Sequence, residues 1–137
     1  MKLVVDTNIL MSALIKDSIT RSILLSPSHH FYLPEYAIDE VEEHFGTIRS
    51  KSGLSIDELK LLFDILLTNL EMVPMEEILN HFDEAQKALK DIDPEDAPFL
   101  ALALSIECDG IWSNDQDLKQ QNLVKVWNTV ELMKVAS

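Results

Sequence analysis

The stretch KLVVDTNILMSAL, residues 2–14, decides the class of the fold. Lys2 to Val5 is a short apolar run that stops abruptly at Asp6-Thr7-Asn8. The apolar residues Ile9, Leu10, Ala13 and Leu14 then recur at helical spacing. Strand, polar turn, helix is the reading. Working outward, Ser18 is placed to cap a second helix reaching about Leu25 and closed by Pro27, and Phe31 to Leu33 forms a minimal strand before Pro34. In EYAIDEVEEHF, residues 35–45, Ala37, Val41 and Phe45 share one side of an amphipathic helix. A polar break follows at Arg49 to Gly53.

Ser55 and Glu58 have capping-box spacing, and Leu59, Leu62, Phe63, Leu66 and Leu70 make the apolar face of a helix running to about Asn69. Glu71 to Val73 is a third strand, and Glu76 to about Leu89 a helix. Asp93-Pro94-Glu95-Asp96 looks like a helix start, with Asp93 as N-cap and acids at the positive end of the dipole. The helix that it opens, Ala97 to Ile106, is apolar on most sides and so should be buried. Gly110-Ile111-Trp112 then repeats the opening device, since this strand runs straight into Ser113-Asn114-Asp115-Gln116-Asp117. A last strand, Val124 to Trp127, and a short helix finish the chain. Strands alternating with helices imply an α/β/α sandwich around a mainly parallel sheet, with right-handed connections.

A length of 137 residues fits one domain with one core. The composition, 47% hydrophobic with only 3 Gly, is that of an ordered globule. Cys108 has no internal partner for a disulfide, no signal-peptide pattern opens the chain, and acids interrupt every apolar run before it can span a bilayer. A cytoplasmic protein without a membrane partner is the expectation. The formal charge of −13 disfavours long-range attraction to a phosphate backbone. Nucleic-acid binding would therefore need metal in an acidic pocket, or a local grip by cations such as Lys16, Arg21, Arg49 and Lys51.

Ligands of open parallel sheets bind at the carboxyl ends of strands, which is where Asp6 and Asp115 stand. Asp96 opens a helix that must pack on the sheet, and Glu40 lies at the margin of its helix's apolar stripe, so four acids can converge. Each also has a plainer role: Asp6 and Asp115 as turn or cap residues, Asp96 completing a cap with Asp93, Glu40 as a solvated charge. Crowded carboxylates repel unless a cation sits among them, and an oxygen-only set without clustered His or Cys suits Mg²⁺ or Mn²⁺. Such an ion supports phosphodiester hydrolysis. His29, His30, His44 and His81 show no metal-ligand spacing and read as surface or packing residues, and Trp112 and Trp127 as core.

Four segments in this order resemble the PIN-domain family, which includes VapC-type toxin ribonucleases. They are VVDTN at Val4 to Asn8, the Glu40 of AIDEV, DPEDAPFLALAL at Asp93 to Leu104, and DGIWSNDQD at Asp109 to Asp117. The resemblance implies a single PIN-like nuclease domain over residues 1–137, cutting RNA with Mg²⁺ or Mn²⁺. It implies catalytic metal ligands at Asp6, Glu40, Asp96 and Asp115, with Asp117 and Asp93 beside them or on a second ion. Thr7, Asn8, Ser113 and Asn114 match the family's polar positions that orient carboxylates or meet a phosphate oxygen. Family toxins pair with an antitoxin covering the acidic groove, and many members form homodimers.

Two other classes compete. An aspartyl-phosphate enzyme using Asp6 would want a second Asp two residues on, where this chain has Asn8. A non-catalytic PIN-like module would bind RNA or protein without cutting, and a degenerate member would be expected to have lost one of the acids.

Overall fold

The computed structural model describes residues 1–16 and 18–135. Five parallel strands, β1 (Lys2–Val5), β2 (His30–Pro34), β3 (Leu70–Val73), β4 (Gly110–Trp112) and β5 (Val126–Trp127), form one sheet in the order β3-β2-β1-β4-β5. The chain winds from β1 outward to β2 and β3, then returns across the sheet to β4 on the other side of β1. The connections up to β3 carry α1 (Thr7–Ile15), α2 (Ser18–Leu24), α3 (Tyr36–Glu43), α4 (Phe45–Ser52) and α5 (Ile56–Leu67). The return carries α6 (Phe82–Leu89) and α7 (Ala97–Ser105).

Right-handed crossovers put these two groups of helices on opposite faces. The contacts agree: α1 packs on α2, α3, α4 and α5, and α6 packs on α7. Leu3, Val4 and Val5 of β1 and all of β4 are buried, as strands covered on both sides must be. The expected α/β/α sandwich is present. Reversal of winding direction falls between β1 and β4, where Val5 pairs with Trp112, so the residues following both strands share one crevice.

Several elements have the predicted chemistry. Ser55 and Glu58 make both hydrogen bonds of the capping box on α5, at 3.1 and 3.0 Å. Asp93 accepts from the Glu95 N–H at 3.3 Å, but the turn it caps is a 3₁₀ turn, Pro94–Asp96, before α7 begins. The cap expected of Ser18 rests on a side chain that lies outside what the structure describes.

Other expectations need correction. The polar break at Arg49 to Gly53 is instead largely the end of a helix, α4, which Ile48 anchors in the core and Gly53 stops in the left-handed region at φ 73°. Phe45 belongs to α4 rather than to the preceding helix and meets the Phe63 ring edge-on at 5.6 Å. Residues Met75–Glu77 and Leu79–His81 form 3₁₀ turns, so α6 starts only at Phe82. Here the N–H groups of Glu77, Ile78 and His81 bond three residues back, and Ile78 is the buried apolar anchor of the segment. The last strand is two residues rather than four. Gln121 reaches across to bond the N–H groups of Leu123 and Val124 and the Val124 carbonyl, which holds Val124 in a loop.

Trp112 is fully buried, and its Nε1 donates to Thr129 Oγ1 at 3.1 Å, pinning α8 (Thr129–Val135). Trp127 is half-buried, with Lys125 Nζ 3.7 Å from its ring centre. Among the described residues no helix is long and apolar enough to cross a membrane.

Candidate active site

Asp6 is the first residue beyond β1, and it continues the sheet by donating its N–H to the Trp112 carbonyl at 3.3 Å. Its side chain is locally a helix cap, accepting from the Ile9 N–H at 2.9 Å. Tertiary structure adds the rest. Asp6 is only 4% exposed, and Ser113, across the β1–β4 seam, donates a hydroxyl to it. Ser113 Oγ itself accepts from the Asp115 N–H at 3.1 Å, so one buried hydroxyl links the two acid-bearing turns. Burial pushes the Asp6 carboxyl up to about 6, against the two hydrogen bonds that lower it, and the charges of Asp115 and Glu40 push further in the same direction.

Asp96 stands at the start of α7 and projects beside Asp93 and Asp115. Each of these three offers a carboxylate oxygen, all within 4.8 Å of one another. Burial comes first among the causes that raise Asp96 to about 7, followed by the neighbouring charges of Asp93 and Asp6. Glu40 faces inward from α3 while Glu43, one turn on, is exposed, so the stripe of Ala37 and Val41 sets its direction. Thr7 Oγ1 donates to Glu40 Oε1 at 2.9 Å, and the Tyr36 hydroxyl donates to the same carboxylate. Burial first, then the charge of Glu40, this bond and the charges of Asp96 and Glu95 raise the Tyr36 phenol well above its ordinary value, keeping it a donor.

Asp6, Thr7, Asn8, Glu40, Asp93 and Asp96 line a single pocket of 190 Å³. The structure thus brings Asp6, Glu40 and Asp96 to one cavity, with Asp115 joined to it through Ser113 and by a carboxylate oxygen within 4.8 Å of oxygens of Asp93 and Asp96. Two residues named from sequence are turned elsewhere. Asn114 is exposed and its Oδ1 accepts from the Thr129 N–H at 2.9 Å, capping α8. Asp117 is exposed, its N–H donating to Asp115 Oδ1 at 2.9 Å and its own carboxylate accepting from Gln120 at 3.3 Å. Of the cations proposed to grip a backbone, Arg21 is engaged with the carbonyls of Ala13 and Leu14 at the end of α1, whereas Lys16, Arg49 and Lys51 are exposed.

Sequence reading missed Tyr36, His44 and Phe99, which also line the cavity. A signal existed. Tyr36, Glu40 and His44 are spaced four apart, so any helix that turns Glu40 inward carries the other two with it. Phe99 enters as the partner of Tyr36, their rings 5.8 Å apart.

With this geometry in view, the PIN domain profile matches residues 4–135. The chain belongs to the PIN-domain family. No curated protein matches it. In the crystal structure of VapBC2 from Rickettsia felis bound to a DNA fragment from their promoter, one chain is similar in fold. Its TM-score is 0.72 at 17% identity, covering 93% of this chain and 98% of that one. The PIN fold accounts for the seam between β1 and β4, and the acids of this member stand along it.

Proposed function

We propose that this PIN-domain protein is a metal-dependent endoribonuclease, one nuclease domain over residues 1–137, that hydrolyses RNA phosphodiester bonds in the cytoplasm as the toxin of a toxin–antitoxin pair. The observation that carries the reading is the gathering of Asp6, Glu40 and Asp96 in one pocket with Asp115 and Asp93 adjoining, where Asp6 and Asp96 are driven toward neutrality. Burial and mutual repulsion without a counter-charge raise carboxyls in this way. The donor set is oxygen throughout, which fits Mg²⁺ or Mn²⁺ and not a thiolate or imidazole metal. Asp6, Glu40, Asp96 and Asp115 would hold the ion, with Asp93 adjacent. When bound, the ion supplies Lewis acidity, lowering the pKa of water and neutralising phosphate charge.

The chain's own groups supply orientation. Thr7 and Tyr36 both donate to the Glu40 carboxylate, and Ser113 donates to Asp6 while receiving the backbone of Asp115. A cation in the site would favour the ionised forms of Asp6 and Asp96. Asn8, exposed at the pocket edge, is free to meet a phosphate oxygen. The same acidic groove suits a basic segment of an antitoxin, and a homodimer belongs to the same reading. The alternative reading is a non-catalytic PIN-like module that binds RNA or protein without cutting; the net charge of −13, which disfavours a phosphate backbone, leans toward its protein-binding form.

One experiment separates them: incubation of end-labelled, mostly single-stranded RNA with the purified protein in Mn²⁺, Mg²⁺ or EDTA, alongside Asp6→Asn. Cleavage that needs metal and is lost in the variant supports the nuclease. Metal binding without cleavage across several RNAs and a DNA flap supports the module.

A further inference from the structure

His44 occupies the junction between α3 and α4 and lines the acid pocket with Glu40 and Asp96. Its Nδ1 lies 2.8 Å from the Glu40 carbonyl oxygen. A carbonyl oxygen only accepts, so Nδ1 carries the ring proton, and in the neutral imidazole Nε2 is left as a lone-pair acceptor. His44 is exposed, and among the described residues no group is hydrogen-bonded to its Nε2.

The chemistry of the pocket limits what such an acceptor can meet. Ionised phosphate oxygens have no proton to give. A phosphodiester lying over the acids is flanked by riboses, and in RNA each carries a 2′-hydroxyl, the donor nearest the phosphate and the group that DNA lacks. The exposed rim carboxylate of Glu95 also accepts, but its charge repels the neighbouring phosphate. Asn8 carries both a donor and an acceptor and so discriminates poorly. His44 is a ring acceptor on the pocket lining whose polarity is set by the bond of its Nδ1 to the Glu40 carbonyl.

Resting on the nuclease reading above, we propose that His44 Nε2 accepts a hydrogen bond from the 2′-hydroxyl beside the scissile phosphate, making His44 a residue that selects RNA over DNA. The test is single-turnover cleavage in Mn²⁺ of an RNA cut by the wild type, against strands carrying one 2′-deoxy substitution at each nucleotide flanking the cut. Wild type, His44→Ala, His44→Asn and His44→Gln are compared after circular dichroism confirms their folding.

One deoxy substitution should slow the wild type about fivefold, the worth of an ordinary hydrogen bond. The Ala and Asn variants should be slowed on all-RNA by the same factor and be indifferent to that substitution. Gln, whose amide oxygen reaches the place of Nε2, should restore both rate and sensitivity. An Ala variant that cuts RNA at the wild-type rate, or whose loss multiplies with the deoxy loss, overturns the assignment while leaving the nuclease standing. A wild type that cuts no RNA overturns both.

Discussion

The two ends of the sheet each bury a titratable group, and burial acts on both in the same way with different results. At the amino end His29 is 7% exposed, its Nδ1 3.2 Å from the Met1 amine, its ring 5.8 Å from Phe31, and its Nε2 without a hydrogen-bond partner among the described residues. Burial, and then the Met1 charge, lower its pKa. At the carboxyl end burial raises Asp6 and Asp96. At each end burial favours the uncharged form. The amino end even has the larger hollow, 440 Å³ lined by His29, His30, Thr68 and Asn69, against 190 Å³ over the acids. Cavity size and desolvation therefore do not make a site by themselves. The acids gain their chemical meaning from one another, since several like charges sharing a pocket create a demand for a cation that one neutral imidazole does not.

That contrast can be broken most severely at the acids. Asp6→Asn and Asp96→Asn should each reduce metal-dependent RNA cleavage by more than the roughly 100-fold typical of losing a group behind a metal ligand. Retained activity in both would remove the proposed centre.

The same substitution should act oppositely on stability. With Asp6 raised from 3.8 to about 6, the metal-free fold binds that proton more tightly than the unfolded chain. The stabilisation is complete below about 4 and lost as pH rises through about 6, leaving a deficit of roughly 3 kcal/mol at pH 7. Asp6→Asn keeps a capping side chain and removes the charge, so in EDTA at pH 7 denaturant unfolding should show it more stable by about that amount. Saturating Mn²⁺ should reverse the order, because only the wild type gains from a bound ion. A variant less stable than wild type in EDTA would contradict the electrostatic account.

A smaller effect is expected one bond behind the acids. Thr7→Val removes the hydroxyl that holds Glu40 Oε1 and should weaken Mn²⁺ binding about tenfold by calorimetry while leaving Asp6 in place. Unchanged affinity would mean that Glu40 needs no orientation.

The smallest change should come from the amino end. His29→Leu removes the unpartnered Nε2 and should stabilise the fold by about 1 kcal/mol with cleavage unaffected. The lowered His29 pKa means that the unfolded chain takes up the proton first, so this contribution is whole above about 6.5 and lost as pH falls. Thermal melts in EDTA should thus show His29→Leu flattening the acid side of the profile, opposite in sign to Asp6→Asn. Loss of cleavage in this variant would tie the two ends together.

Much of this was legible one residue at a time. Asp6 follows an apolar run and precedes a helical stripe, and those local facts are enough to put it at a strand end and on a helix cap. Asp93 and Ser55 announce their turns by the hydrogen bonds their side chains can make within three residues. Polarity misled where long-range contact outweighs it: α4 is a helix because Ile48 and Phe45 find the core, and Val124 leaves the sheet because Gln121 claims its backbone. Asn114 looks like a site residue beside Asp115 until α8 folds back to take its carbonyl.

The sequence by itself determined the alternation of strands and helices, the sheet that follows from it, and the acids that stand at its strand ends, because periodicity and capping are local. Only the tertiary structure decided which side chains meet. Winding reversal between β1 and β4 sets Asp6 against Ser113 and Asp115, packing of α3 turns Glu40 inward, and exclusion of water raises the carboxyls, since proximity and dielectric belong to the folded chain and to no segment of it.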